Sequence, residues 1–469
     1  MLGPRRSTAI RIAMALALAL ANAACASFSR DGGMDAVSAI AATELNKDAG
    51  KIDSDAAAAA ARARVRTLLA SALSADAAVQ IALLNNKELQ AAYNELGIAE
   101  AAMVEASLPP NPTFSLSRIS TPVELDIERR IIGDILALAT LPARAEIAAD
   151  RFRQAQLHAA EETLRVAVET RRAYYRAVAS RQLAAFLGQA SGAADTSAKF
   201  AKELGETGAM NKLDQAREET FSVELNAQLT AARQQAASAR EALIRLLGLT
   251  DADLQFKLPP ALPALPRRPK TLPAVETEAI RRRVDVAIAR IEVDTLAKSY
   301  GLTNATRFIN LLEVSGISRT QREGGLQGTG GGIDVAFQVP IFDFGEVRVR
   351  EAGETYMAAV NRLTALAVNA RSQARDAYRV YRSTYDIAVQ YRDRVLPLRE
   401  VISSETMLRY GAMQIDVFSL LTEARQRVGA NITAIDAQRD FWLASANLVA
   451  AISGGGVTAG GHDCVYGEA

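Results

Sequence analysis

Two hydrophobic periodicities alternate along this chain, and each occurs twice. The first is helical. From Pro142 to Glu203, and again from Glu346 to Arg409, apolar positions recur among Ala, Glu, Gln and Arg, the composition of long helices. At about 1.5 Å per residue, a helix of about 60 residues is about 90 Å long. Few globular cores bury such a rod, so it needs a partner of similar length. Each stretch ends at a glycine-marked turn, Leu204-Gly205-Glu206-Thr207-Gly208-Ala209-Met210 in the first half and Leu408-Arg409-Tyr410-Gly411-Ala412-Met413 in the second. A second helical run follows each turn and ends at Leu246-Leu247-Gly248 or near Ala451-Ile452-Ser453-Gly454, where glycine reads as a C-cap. Paired antiparallel coiled coils are predicted, kept soluble by the charges of Glu161–Arg172 and Arg371–Arg382. Pro397 predicts a local break or bulge in the second rod.

The second periodicity is that of strands. Ile333, Val335, Phe337 and Val339 fall on one face, with Asp334, Ala336 and Gln338 on the other. Phe308 to Ile317 offers a partner strand, and Gly324-Gly325 to Gly332 reads as the loop between them. In the first half, Pro112-Thr113-Phe114-Ser115-Leu116-Ser117 alternates after its proline. Ile127 to Leu138 alternates poorly, because Ile131-Ile132 and Ile135-Leu136 place apolar groups on both faces. It is either a strand with a short alternating core or already the start of the rod. The bland alternative for these segments is a small soluble β-domain. Strands spanning a membrane must close into a barrel, because unpaired edge groups in lipid cost several kcal/mol each. Four strands cannot close alone, so a membrane role demands an oligomer; three copies would supply twelve strands.

The chain is therefore written twice. Asp76 to Glu105 and Val284 to Lys298 read as the opening helix of each half. Pro259, Pro260, Pro263, Pro266, Pro269 and Pro273 mark a stiff, extended linker between the halves. The division expected is 1–24 signal peptide, 25–75 N-terminal extension, 76–258 first repeat, 259–275 linker, 276–455 second repeat and 456–469 Gly-rich tail.

Composition narrows the function. With 54 basic and 53 acidic residues among 469, the chain lacks the basic field a nucleic-acid partner requires. Two Cys and two His without ligand spacing give neither a metal site nor a disulfide framework. No catalytic constellation is present, and Gly324 to Gly332 is no phosphate loop, since no Gly-Lys-Ser/Thr follows. Arg5, Arg6 and Arg11, then the apolar run Ile12 to Ala21, read as an export signal. Leu20-Ala21-Asn22-Ala23-Ala24-Cys25 looks like a lipoprotein cleavage box, with Cys25 as the lipidated residue; Asn22 is atypical, and simple cleavage is the alternative. Beyond the signal no run of 18 apolar residues remains, so any spanning elements must be strands.

The sequence resembles the TolC family of outer-membrane efflux proteins, in particular the branch serving heavy-metal and other resistance-nodulation-division pumps, from about Asp76 to Gly454. Asn85-Asn86-Lys87-Glu88-Leu89 followed by Leu108-Pro109-Pro110-Asn111-Pro112 looks like the family's opening helix and first strand. Pro340-Ile341-Phe342-Asp343-Phe344-Gly345 looks like its strand-to-helix junction. Gly208 to Asp214 and Gly411 to Phe418 look like its two hairpin turns. The first half carries Thr140-Leu141-Pro142-Ala143-Arg144 where a proline-aromatic-glycine junction would stand. The resemblance implies a mainly α fold with β: four strands per subunit, twelve in a homotrimeric outer-membrane barrel, continued by an α-helical coiled-coil barrel across the periplasm of a Gram-negative bacterium. It implies a passive exit duct for metal ions or drugs, without cofactor or catalysis, partnered by a periplasmic adaptor and an inner-membrane pump. The alternative class is a periplasmic coiled-coil adaptor or scaffold lipoprotein.

Residue roles follow. Ile333, Val335, Phe337 and Val339 are expected to face lipid. Pro340, Phe342, Asp343 and Gly345 form the junction, with Asp343 as helix N-cap and Gly345 allowing close approach. Gly208 and Gly411 are expected at the hairpin tips, with Met210, Met413, Ile415 and Phe418 available for adaptor contact. Asp214 and Asp416 are expected at a periplasmic aperture, although they lie at different spacings from their glycines. Plain solvent-facing helix positions would explain them equally. Arg439, Asp440, Phe441 and Trp442 read as a packing patch.

Overall fold

The computed structural model describes residues 28–122, 124–324 and 326–454. Its principal elements are α1 (Asp55–Leu69), α2 (Ala75–Asn85), α3 (Lys87–Ser107), β1 (Thr113–Ser120), β2 (Glu124–Asp134), α4 (Leu141–Glu206), α5 (Lys212–Leu247), α6 (Val275–Arg282), α7 (Val284–Ala305), β3 (Leu311–Glu323), β4 (Leu326–Gln338), α8 (Glu346–Gln390), α9 (Leu396–Gly411) and α10 (Val417–Ser453). Cys25, the export signal, His462 and Cys464 lie outside the described residues.

Two compact units are present, and each draws on both halves of the sequence. The first comprises Tyr93–His158, Asp285–Leu366 and the described part of Met1–Ala36. It holds one antiparallel sheet in the order β1-β2-β3-β4. The sheet corrects three sequence expectations. Ile127 to Leu138 divides: the strand runs to Asp134, whose carboxylate then caps the short helix Ile135–Ala139 by accepting from Ala137 N–H at 2.8 Å. The partner strand is Leu311–Glu323 rather than Phe308 to Ile317. The glycines after Gly325 are strand, not loop. Gly328, Gly330 and Gly332 stand opposite Gln321, Arg319 and Ile317, and the missing side chains leave room for those larger neighbours. In the helical part of this unit, Lys298 Nζ on α7 meets Asp150 at 2.5 Å and Glu146 at 2.9 Å on α4, which raises the lysine above its usual range.

The second unit comprises Val37–Ala92, Ala159–Val284 and the described part of Ala367–Ala469. Here the internal duplication appears in hydrogen bonding. The opening helix of each half is broken by one extended residue, Asn86 (φ −64°, ψ 121°) between α2 and α3 and Arg283 (φ −63°, ψ 124°) between α6 and α7. Both side chains serve the same need, since the last carbonyls of a helix lack intrahelical donors. Asn86 Nδ2 donates to Leu246 O at 3.0 Å near the end of α5, and Arg283 Nη1 donates to Ala451 O at 3.3 Å near the end of α10. Both helices then stop at a left-handed glycine, Gly248 (φ 62°) and Gly454 (φ 93°).

The proline-rich segment lies along this helical unit. Its leucines Leu258, Leu262 and Leu265 are buried, while its backbone groups bond to helix side chains. Pro263 O accepts from Trp442 Nε1 at 3.0 Å and Gln438 Nε2 at 2.8 Å; Pro266 O accepts from the Tyr385 hydroxyl at 3.0 Å. The Tyr381 hydroxyl accepts from Lys270 N–H at 3.0 Å. Phe441 is fully buried between Tyr381 and Tyr385, and Trp442 stacks on Tyr175. Pro397 falls at the start of α9, directly after a π-helical turn over Tyr391–Val395. That turn absorbs the backbone bond a proline cannot donate.

Gly248 allows a direct test. An added Cβ would lie 2.7 Å from Asn85 O, on a left-handed backbone. Gly248→Ala should destabilise the chain by more than about 1–2 kcal/mol, the left-handed penalty alone. Gly188→Ala, mid-helix with its nearest neighbour 3.9 Å away, should stabilise by about 0.5–1 kcal/mol. Denaturant unfolding of the two variants side by side checks both signs.

Candidate functional site

Strand register sorts the sheet's side chains onto two unlike faces. Opposed residues of an antiparallel pair share a face. One face carries Phe114 and Leu116 of β1, Ile127 and Ile131 of β2, Leu312 and Val314 of β3, and Ile333, Val335 and Phe337 of β4. Ile333 is 80% exposed and Phe337 66%, so in the single chain water touches the apolar side chains at the helix-proximal end of this face. Val339 lies just past the end of β4 and is also exposed.

The opposite face holds every carboxylate of the four strands: Glu124, Asp126, Glu128, Asp134, Glu313, Glu323 and Asp334. Its arginines are paired. Arg319 Nε donates to Asp126 at 3.0 Å, and Arg130 meets Glu128 at 2.9 Å and Asp334 at 4.0 Å. The sequence reading found the apolar face in β4 and missed it in β2. Hydrophobicity misleads there, but Glu124, Asp126 and Glu128 already recur every second residue.

At the junction after β4, Phe344 N–H donates to Pro340 O at 2.8 Å. Asp343 is not the expected helix cap. Its carboxylate accepts from Gly345 N–H at 3.1 Å, closing an Asx turn, and its carbonyl accepts from Glu346 N–H at 2.9 Å. Gly345 is obligatory: φ is +76°, and a Cβ would fall 2.2 Å from Arg307 O. Arg348 Nη2 also donates to that carbonyl, at 3.3 Å. Phe342 is 97% exposed, and Ile341 and Phe344 are exposed beside it.

In the helical unit, the two hairpin turns have one geometry, but the equivalence differs from that suggested by the repeated glycines. Gly208 (φ 75°) is left-handed in the first turn; in the second the left-handed residue is Met413 (φ 58°), and Gly411 is the last residue of α9. Hydrogen bonds confirm the alignment. Gly208 N–H donates to Gly205 O and Ala209 N–H to Leu204 O, as Met413 N–H does to Tyr410 O and Gln414 N–H to Arg409 O. The turns are Schellman-type closures. Three residues on, Asn211 caps α5 and Asp416 caps α10, the latter accepting from Ser419 N–H at 2.8 Å. Asp416 therefore matches Asn211, and Asp214 lies one turn further along. Ser419, through its side chain and then its backbone N–H, holds Asp416 below the ordinary carboxylate range. Asp214 is bound by Asn211 at 2.7 Å and by Arg217 at 3.1 Å.

Both turns line one groove of about 570 Å³, which includes Met210, Asp214, Glu218, Met413, Ile415, Asp416 and Phe418. Arg217 lies over the Phe418 ring, 4.9 Å from its centre. Arg425 on α10 joins the hairpins, donating to Arg217 O at 2.7 Å and Glu218 Oε1 at 2.9 Å on α5. Glu218 is only 3% exposed; burial raises its carboxyl, against the lowering pull of Arg425. Met413 is 94% exposed, an apolar side chain on a strained backbone at the turn. Among the described residues, no group of three His, Cys, Asp or Glu could hold a metal ion, and no helix is long and apolar enough to cross a membrane.

Met413→Gly should stabilise the chain by about 1 kcal/mol by removing the left-handed penalty, whereas Gly208→Ala should cost a similar amount; thermal unfolding reads both. Arg425→Met strands a buried carboxylate and should cost on the order of 2 kcal/mol, less than for a fully buried pair because Arg425 is partly exposed. A raised folded pKa makes a group's contribution complete below its unfolded value and loses it as pH rises through the folded value. The Arg425→Met penalty should therefore be smallest at acidic pH and grow toward neutrality.

No protein-family model matches the chain. It is 28% identical over 302 residues to the cobalt-zinc-cadmium resistance protein CzcC of Cupriavidus metallidurans, a match covering 62% of this chain and 66% of that protein, just under two thirds of the relative's length. Among solved structures, a membrane protein from Pseudomonas aeruginosa superposes with a TM-score of 0.70 at 18% identity, covering 83% of this chain and 92% of the other. The Campylobacter jejuni CmeC outer membrane channel superposes with a TM-score of 0.68 at 17% identity, covering 81% and 86%. The four-stranded sheet, the long helical hairpins and these superpositions give one conclusion: the chain has the TolC-like fold of outer-membrane channels.

Proposed function

We propose that this protein is a TolC-family outer-membrane channel subunit, the exit duct of a tripartite efflux system. One observation carries the reading. The sheet has an exposed apolar face, a face bearing all its carboxylates, and two edges, β1 and β4, that have no strand partner among the described residues. In lipid those edges need partners. Three copies joined β1 to β4 would close twelve strands, with the apolar face toward lipid and the charged face toward a water-filled lumen. Strands of 11 to 13 residues for β2, β3 and β4 are long enough to span. Ile341, Phe342 and Phe344 then sit at the membrane boundary, where aromatic side chains settle.

The helical hairpins carry the lumen into the periplasm. Their turns, with Met210, Met413, Ile415 and Phe418, meet an adaptor protein and through it an inner-membrane pump. Asp214 and Asp416, repeated by the trimer, ring the aperture and favour cations. The duct conducts passively and catalyses nothing. The likeness to a cobalt-zinc-cadmium resistance protein favours metal ions as cargo over drugs. Cys25, once lipidated, adds an anchor in the same membrane.

The test is purification from the outer-membrane fraction followed by planar-bilayer recording. A detergent-stable trimer with ohmic conductance is expected, and deletion should lower tolerance to divalent metal salts. In the double variant Asp214→Asn/Asp416→Asn, cation preference should fall, read as a reversal-potential shift toward zero in a salt gradient. A freely soluble monomer absent from the membrane fraction would overturn the reading.

A further inference from the structure

The apolar face of the sheet also carries charge, all of one sign. Arg118 on β1, Arg129 on β2 and Arg322 on β3 share that face with Phe114, Leu116 and Ile131. All three arginines are exposed. No carboxylate lies on this face of the four strands, and none pairs with these arginines among the described residues. The contrast with Arg130 and Arg319 on the other face is complete, since both of those are ion-paired. Solubility of the isolated chain does not explain the arrangement: mixed charges would serve better, and the same strands place seven acids behind.

Their position is as specific as their sign. Arg118 stands opposite Ile127, which makes Arg129 its diagonal neighbour, about 7–8 Å away and within reach of a shared ligand. Arg322 stands opposite Leu125 and Gln327, one row nearer the turns. Ser318 shares the row of Arg129, Thr320 and Thr329 share that of Arg118, and Gln327 stands beside Arg322, adding hydroxyl and amide donors; Arg129 Nη1 already rests 3.4 Å from Thr320 Oγ1. Toward the helices the same face turns apolar, through Ile131, Val314, Ile333, Val335 and Phe337. A surface that is apolar over one half of its height and cationic over the half next to the turns has the profile of a lipid molecule, tails below and an anionic headgroup above. Guanidinium suits phosphate because its planar fork binds two oxygens at once.

We infer that Arg118, Arg129 and Arg322 form an outward-facing site for the phosphate groups of membrane lipid headgroups, in the leaflet that surrounds the β1–β2 and β3–β4 turns. The inference rests on the proposed membrane placement of the sheet, and the experiment separates the two. Purified full-length protein is reconstituted into phosphatidylcholine vesicles alone, or into vesicles containing a minor fraction of diphosphoryl lipid A or its dephosphorylated form. Insertion is read by flotation and protease protection, and retained lipid by native mass spectrometry.

The wild type should insert into all three and retain the diphosphorylated lipid selectively, with inorganic phosphate at millimolar concentration failing to displace it. At about fivefold per arginine, the triple variant R118Q/R129Q/R322Q should lose on the order of a hundredfold in selectivity while still inserting into neutral vesicles. The triple lysine variant should keep part of the preference, and R130Q/R319Q, on the opposite face, should keep it whole. Equal retention of phosphorylated and dephosphorylated lipid by an inserted wild type, or undiminished selectivity in the triple glutamine variant, overturns the inference and leaves the membrane reading standing. A wild type that enters no vesicle overturns the membrane reading and this inference with it.

Discussion

Backbone N–H and C=O groups at a sheet edge must find partners, and in a hydrocarbon medium no solvent can supply them. Here that requirement meets a sheet in which, among the described residues, β2 and β3 are paired on both sides while β1 and β4 are each paired on one. Much of the remaining chemistry is arranged around this incompleteness. The apolar side chains of one face reinforce it, because a single chain in water leaves them exposed. The glycines of β4 belong to the same design, since they leave open space on the face where charges from β2 and β3 gather. In the proposed trimer the two faces become complementary, one toward lipid and one toward water.

The helical unit answers a different demand. Long helices leave unsatisfied carbonyls where they stop, and the duplicated chain solves this twice with different residues. Asn86 and Arg283 occupy matching breaks with nearly identical dihedrals, and each reaches the final turn of its own half. An amide and a guanidinium share no obvious chemical kinship in a sequence comparison, yet both present N–H donors to carbonyl oxygens. The duplication is thus better preserved in hydrogen bonding than in residue identity.

This explains what the sequence disclosed and what it withheld. The long rods, the strand containing Ile333, Val335 and Phe337, and the interruption near Pro397 all rest on strong local signals: sustained helical composition, strict alternation and a missing N–H. The Gly328–Gly332 stretch misled because glycine's local preference is for loops, whereas its place in β4 is decided by pairing with β3. The turns misled for the opposite reason. Two glycines in similar sequence surroundings invited a match, but the left-handed position in the second turn belongs to Met413. Asp214 and Asp416 do reach one groove, though by different routes, one within a first turn and one as a cap. The arginines of the sheet's apolar face were invisible without strand register, because Arg129 and Arg130 are adjacent in sequence and belong to opposite surfaces.

The π turn at Tyr391–Val395 has a mechanical corollary. A wide turn accommodates one residue more than the surrounding helix would, so the downstream segment is offset in phase by one position, about 100° of rotation. The apolar side chains Leu398, Val401, Ile402 and Leu408, all exposed, point where they do because of that offset. Removing a single residue there would reclock the whole segment about its own axis, keeping composition and helicity while presenting a different stripe to its neighbours. The bulge is in effect the indexing pin of the second hairpin.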